Sequence, residues 1–131
     1  MLRVVAMVLF GFMFLAEVGD LYGLVLTLAD PVPAADRFGI TASAEVLRTT
    51  VLLIMALAVC FGALLALVGL LARMPALFHM SALVCAIGYL VYGLFQVAVG
   101  ALQLGSSIVL VAGLIYVVLG GLAYGMYRSV Y

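Results

Sequence analysis

The sequence predicts an all-α integral membrane protein, an up-down-up-down four-helix bundle with both termini cytoplasmic, and three observations carry that prediction. Of the 131 residues, 70% are hydrophobic and only 8% are charged, far from the roughly half-apolar composition of soluble domains. The apolar residues gather into four runs, each long enough to cross a hydrocarbon core of about 30 Å at about 1.5 Å per residue. The links after the second and third runs, RMPALF and QLGSS, are so short that consecutive helices must run antiparallel. One transmembrane domain over residues 1–131 is expected, with no internal repeat.

The first span covers about residues 4–29. Its start, MLRVVAMVLFGFMFLA, has the charged and apolar regions of a secretory signal, but Phe14 and Ala16 make a poor small-x-small cleavage site, so it reads as an uncleaved span. An interfacial loop follows at 30–45, in which Pro33 suits the start of one helical turn that would lay Phe38 and Ile40 on the membrane. The second span, 46–72, is expected to be capped by Ser43 with Glu45 in its first turn. The third covers 79–102 and the fourth 107–127, with Tyr124, Tyr127 and Tyr131 as an aromatic anchor at the interface.

Orientation follows from the arginines, because short cytoplasmic loops retain basic residues. Arg3, Arg73 and Arg128 fall on one side without nearby acids. Arg37 and Arg48 fall on the other, together with Asp30, Asp36 and Glu45. The side with the termini is therefore expected to be cytoplasmic, in a bacterial inner membrane. In lipid, helices associate where small residues let backbones approach. The first helix offers Ala16, Gly19, Gly23 and Thr27, with Asp20 inside that stripe and Glu17 about 60° round on its shoulder at about 100° per residue. The third offers Ser81, Cys85, Gly88, Tyr92, Gln96 and Gln103, the most polar stripe in the chain. The fourth offers Gly113, Gly120, Gly121 and Gly125, including one G-x-x-x-G. These stripes are expected to pack inside the bundle.

Two carboxylates within the first span need an explanation. Glu17 lies about 18 Å and Asp20 about 13 Å below the outer end of the helix, where a free carboxylate costs about 2.5–3.5 kcal/mol. Arg48 lies about one turn inside the same boundary and can reach further inward along its flexible stem. Gln96 climbs to about 10 Å from that side. The sequence therefore predicts an outer-half polar cluster of Glu17, Asp20, Arg48 and Gln96, with Tyr92 nearby. Asp20 would pair with Arg48, and the deeper Glu17, lacking a second base, would hold a proton at neutral pH. Such a cluster either fixes helix register or binds a proton.

Other chemistry finds little footing. Five acids offset five bases, every base is an arginine, and no basic tract exists, so no nucleic-acid partner is expected. Cys60 and Cys85 sit in apolar runs, as buried small residues do. His79 is the sole histidine, placed at the cytoplasmic start of the third helix, where it is expected to be solvated; no metal or haem is expected from a single ligand. No nucleophile triad or nucleotide-binding glycine loop can be assembled, so neither an enzyme nor a cofactor is expected. The expected role is a non-enzymatic subunit that packs against, assembles or stabilises a larger membrane complex, in contact with lipid and other membrane subunits. The second expectation is a proton-coupled carrier or channel component using Glu17 and Asp20. A third is a pigment, quinone or lipid-binding protein.

Two resemblances bear on these expectations. Ala16-Glu17-Val18 in a first helix resembles the proton-coupling glutamate of small multidrug transporters, over that helix alone. The aromatic and lysine partners of that pattern are absent, and the first loop is longer. LADPVPAADRFGI followed by AEVLRTT resembles a family of uncharacterised bacterial four-helix membrane proteins. There the first helix ends at a proline, a short turn carries Phe-Gly, and the second helix opens with Leu-Arg. The match spans Ala29 to about Thr50, with Thr49 and Thr50 where members often have glycines. It implies the fold and no activity, and it places Arg48 among the characteristic positions.

Overall fold

The computed structural model describes residues 1–99 and 107–130. Gly100, Gln103, most of the QLGSS link, Tyr131 and the side chain of Phe38 lie outside the described residues. Among the described residues five helices form: α1 Leu2–Ala29, α2 Val32–Phe38, α3 Ala42–Leu71, α4 Pro75–Val99 and α5 Ser107–Ser129. Four of them, α1, α3, α4 and α5, are long and apolar enough to cross a membrane, the signature of a multi-pass membrane protein.

The ends of the elements follow local rules that shift two predicted boundaries. Gly39, at φ +68°, closes α2 in the left-handed conformation, its N–H donating to the Asp36 carbonyl at 3.2 Å and the Ile40 N–H to the Ala35 carbonyl at 3.0 Å. Glycine adopts that conformation without steric cost. The reversal leaves Thr41 extended, and its hydroxyl accepts from the Ala44 N–H at 3.1 Å. Thr41, not Ser43, is thus the cap, and α3 begins four residues before the predicted span. Likewise α4 begins at Pro75, whose missing N–H is not needed in a first turn, rather than at His79.

Helix α3 packs on α1 and α4, and α4 on α5, while α1 approaches α5 chiefly through side chains. At one end Arg3 donates to the Leu70 carbonyl at the close of α3. There Phe10 stands edge-on to Phe78 with ring centroids 5.7 Å apart, and His79 stands edge-on to Tyr127 at 5.5 Å. The starts of α1 and α4 therefore lie with the ends of α3 and α5. His79 is half-buried against this aromatic contact, not merely solvated. Cys60 and Cys85 are buried free thiols.

The packing faces differ from the predicted stripes. The α4–α5 contact rests on Gly93 and Gly113: a Cβ added to Gly93 would stand 2.7 Å from the Gly113 carbonyl, and one on Gly113 2.7 Å from the Val97 nitrogen. Gly88 also packs closely, against Val59. By contrast, Gly19, Gly23, Gly121 and Gly125 are exposed, and a Cβ at any of them would meet nothing within 4 Å; Ala16 is half-buried. Their expected place inside the bundle is corrected. On α1 the buried line is Ala6, Phe10, Met13 and Glu17, with Gly19 and Gly23 about 160° and 120° round from Glu17. The smallness needed at this contact comes from α3 instead, whose Ala63 and Ala66 share a core with Phe10 and Met13. One small side per interface is enough to reach native density.

Candidate functional site: an intramembrane carboxyl and tyrosine cluster

Because α1 turns its Ala6–Phe10–Met13 line inward, the next member of that line, Glu17, enters the bundle with it. Its exposure is 1%. Asp20, one turn on, is half-buried and faces α5, where it accepts a hydrogen bond from the Tyr116 hydroxyl. The predicted ranking is thereby reversed: Glu17 lies on the buried face and Asp20 on its shoulder. Tyr116 stacks on Tyr89 at 5.7 Å with the rings 17° apart, and meets Tyr92 edge-on at 4.3 Å. Tyr89 and Tyr92, both buried, project from α4 three residues apart. The Glu17 carboxyl lies beside the Asp20 carboxyl and the Tyr89 hydroxyl. Neither Glu17 Oε1 nor Tyr89 Oη makes a well-aligned hydrogen bond among the described residues, although the Tyr89 hydroxyl lies close enough to the Glu17 carboxyl to interact with it. Two carboxyls thus sit against three tyrosines, and no basic side chain pairs with either acid among the described residues.

Arg48 is engaged elsewhere. Its Nε donates to Glu45 Oε2 at 3.0 Å and its Nη2 to Glu45 Oε1 at 2.7 Å, while the Thr49 hydroxyl donates to Oε1 at 3.1 Å. Glu45 is fully buried under this fork. The predicted Asp20–Arg48 pair is therefore replaced by an ion pair three residues apart on one helix. Geometry explains the preference: neighbours on one helix face meet without any reach across the bundle, and a two-pronged pair is the strongest form of the contact. Arg48 also borders a half-open cleft of about 380 Å³ between α3 and α4, with Phe95 and Val99 among its lining residues. Gln96, one turn beyond Tyr92, is buried, and its Oε1 has no hydrogen-bond partner among the described residues.

Of the predicted site residues, Glu17, Asp20 and Tyr92 come together, Gln96 stands a turn away along α4, and Arg48 serves Glu45. Tyr89, Tyr116 and the buried state of Glu45 escaped the sequence reading. Two signals for them existed. Cys85, Tyr89, Tyr92 and Gln96 recur at steps of four, three and four, the regular inward line of a helix, whereas the expected polar stripe has Gly88 in place of Tyr89. Tyr116 lies mid-span, far from the interface where amphipathic rings usually settle. Chemically, the arrangement can hold a proton between two adjacent carboxyls, with tyrosine hydroxyls as donors and acceptors around them. Comparison with family models, with curated proteins and with solved structures gives no match, and the functional reading rests on this geometry.

Proposed function

We propose that the protein is a non-enzymatic, multi-pass protein of a bacterial inner membrane, an up-down-up-down bundle with cytoplasmic termini, and a proton-coupled carrier or channel component. Its Glu17–Asp20 pair takes up and releases the proton. One observation carries this reading: Glu17 is buried in the middle of four apolar helices, and among the described residues no base is paired to it or to Asp20. The same chain contains the contrasting case. Glu45 is just as buried, yet its side chain receives two bonds from Arg48 and one from Thr49, which is how a buried structural acid is satisfied. Among the described residues Glu17 keeps an oxygen without a hydrogen-bond partner instead, and intramembrane acids mark functional sites, proton relays among them.

Infrared difference spectroscopy on the protein in lipid tests this. The carbonyl stretch of a protonated carboxyl should rise and fall with pH in the wild type and vanish in Glu17→Gln. A band that stays constant across the accessible pH range would show a fixed structural acid and sink the reading.

The reading as a subunit of a larger assembly has its own support. Gly19 and Gly23 on α1, and Gly121 and Gly125 on α5, lie on the outer surface, where they leave room for a foreign helix to approach closely.

A further inference from the structure

We infer that Glu17 is reached from one end of the bundle only: a file of buried polar groups leads to it from the end that carries α2, and an apolar layer seals it from the end that carries both termini. This rests on the proton-binding reading of Glu17. The file begins at mid-depth with Glu17 Oε1 and Tyr89 Oη and continues to Gln96 Oε1, three buried oxygens without hydrogen-bond partners among the described residues. Tyr89, Tyr92 and Gln96 follow one inward line of α4, and seven residues span about 10 Å. Beyond them α3 contributes Glu45, Arg48 and Thr49, and Arg48 borders the half-open cleft beside Phe95 and Val99. A buried oxygen without a partner is costly unless water reaches it. A water needs only two to four polar neighbours to stay, and bridging waters bond nearly as well as direct contacts.

Among the described residues the other direction carries no unpartnered buried oxygen; its one unpartnered buried side-chain atom is Arg3 Nε, at the far end of the layer, where the same guanidinium donates to the Leu70 carbonyl. From Glu17 to Phe10 is about 10 Å of helix, two turns. That layer is made of Phe10, Met13, Ala63, Ala66, Leu70 and Phe78, all fully buried; none has a side-chain donor, and the only acceptor among them is the weakly accepting Met13 sulfur. The nearby polar side chains do not breach it. On α4 the Cys85 thiol donates to the Val59 carbonyl at 3.7 Å, and Ser81 opens onto a lateral groove lined by Phe61, Leu65, Leu77 and Met80; on α3 the titratable neighbour of Glu17 is the buried free thiol of Cys60. In this conformation what travels is a proton, handed along water and hydroxyl groups between the α2 end and the Glu17 carboxylate; release toward the other end requires the bundle to rearrange.

The test uses the full-length protein reconstituted in sealed liposomes, with insertion direction read from a label on Asp36→Cys in a parallel sample. With wild-type protein, the Glu17 carboxyl band should follow pH changes made on the α2 side and ignore those on the termini side. In a Cys60→Ser/Cys85→Ser background, Gln96→Cys should react with a small membrane-impermeant thiosulfonate added on the α2 side, and Phe10→Cys with reagent from neither side. A band that follows pH on the termini side, or reaction of Phe10→Cys from there, overturns one-sided access while leaving the proton reading intact. A band indifferent to pH on both sides overturns the proton reading and this inference with it. The wild-type measurement decides the matter even where a cysteine variant does not fold.

Discussion

The chain has two glutamates, and both are buried, yet their surroundings differ in kind. Glu45 is held by three donors from its own helix; Glu17 shares a tyrosine-lined pocket with a second acid. Removing one partner of a buried ion pair leaves the other charge unpaired, a loss of about 3–5 kcal/mol. Arg48→Ala should therefore destabilise strongly, whereas the double variant Glu45→Gln/Arg48→Gln, which removes both charges, should recover most of that loss. Equilibrium unfolding in detergent reads both. An Arg48→Ala protein as stable as wild type would mean that the fork contributes nothing. The residue scale was partly legible: two acids in an apolar span announce themselves, but which of them meets a base depends on side-chain reach, which sequence spacing does not settle.

At the scale of the element, helix phase decides which glycines matter. Gly93 and Gly113 allow α4 and α5 to approach until a Cβ would lie under 3 Å from the facing backbone. Gly113→Ala must then push the helices apart or distort them, at a cost of about 1–3 kcal/mol. Gly121→Ala points into open surroundings, so it should be neutral or stabilise by up to about 1 kcal/mol through helix propensity. Thermal unfolding of the two variants in the same detergent gives the comparison, and equal effects would contradict the packing described. Counting small-residue motifs favours the opposite order, since G-x-x-x-G belongs to Gly121 and Gly125. The motif identifies a helix able to pack closely; it does not say which side the rest of the chain covers.

Across the whole molecule, α1 leans on α3 and touches α5 mainly by side chains such as Asp20 and Tyr116. The exposed surface of the spans is Leu, Val, Ile and Phe interrupted by the open glycine faces of α1 and α5. If the protein works within an assembly, gentle solubilisation followed by mass spectrometry should find partner chains co-migrating with it, and Gly19→Leu or Gly23→Leu should release them without unfolding the monomer. A protein that runs alone counts against the assembly reading and leaves the proton reading untouched.

Length and hydropathy by themselves determined that this chain has four helices able to cross a membrane, because spanning lipid requires about twenty apolar residues whatever they pack against. Composition likewise brought the two acids of the first span to notice, because charge is rare there. The rotation of each helix was decided only in the tertiary structure. In a uniformly apolar span hardly any amphipathic contrast marks an inner face, so the phase of α1 depends on Phe10 and Met13 finding the alanines of α3. That phase is what carries Glu17 inward, turns Asp20 to Tyr116, leaves Arg48 to Glu45, and sets Gly19 and Gly23 outside.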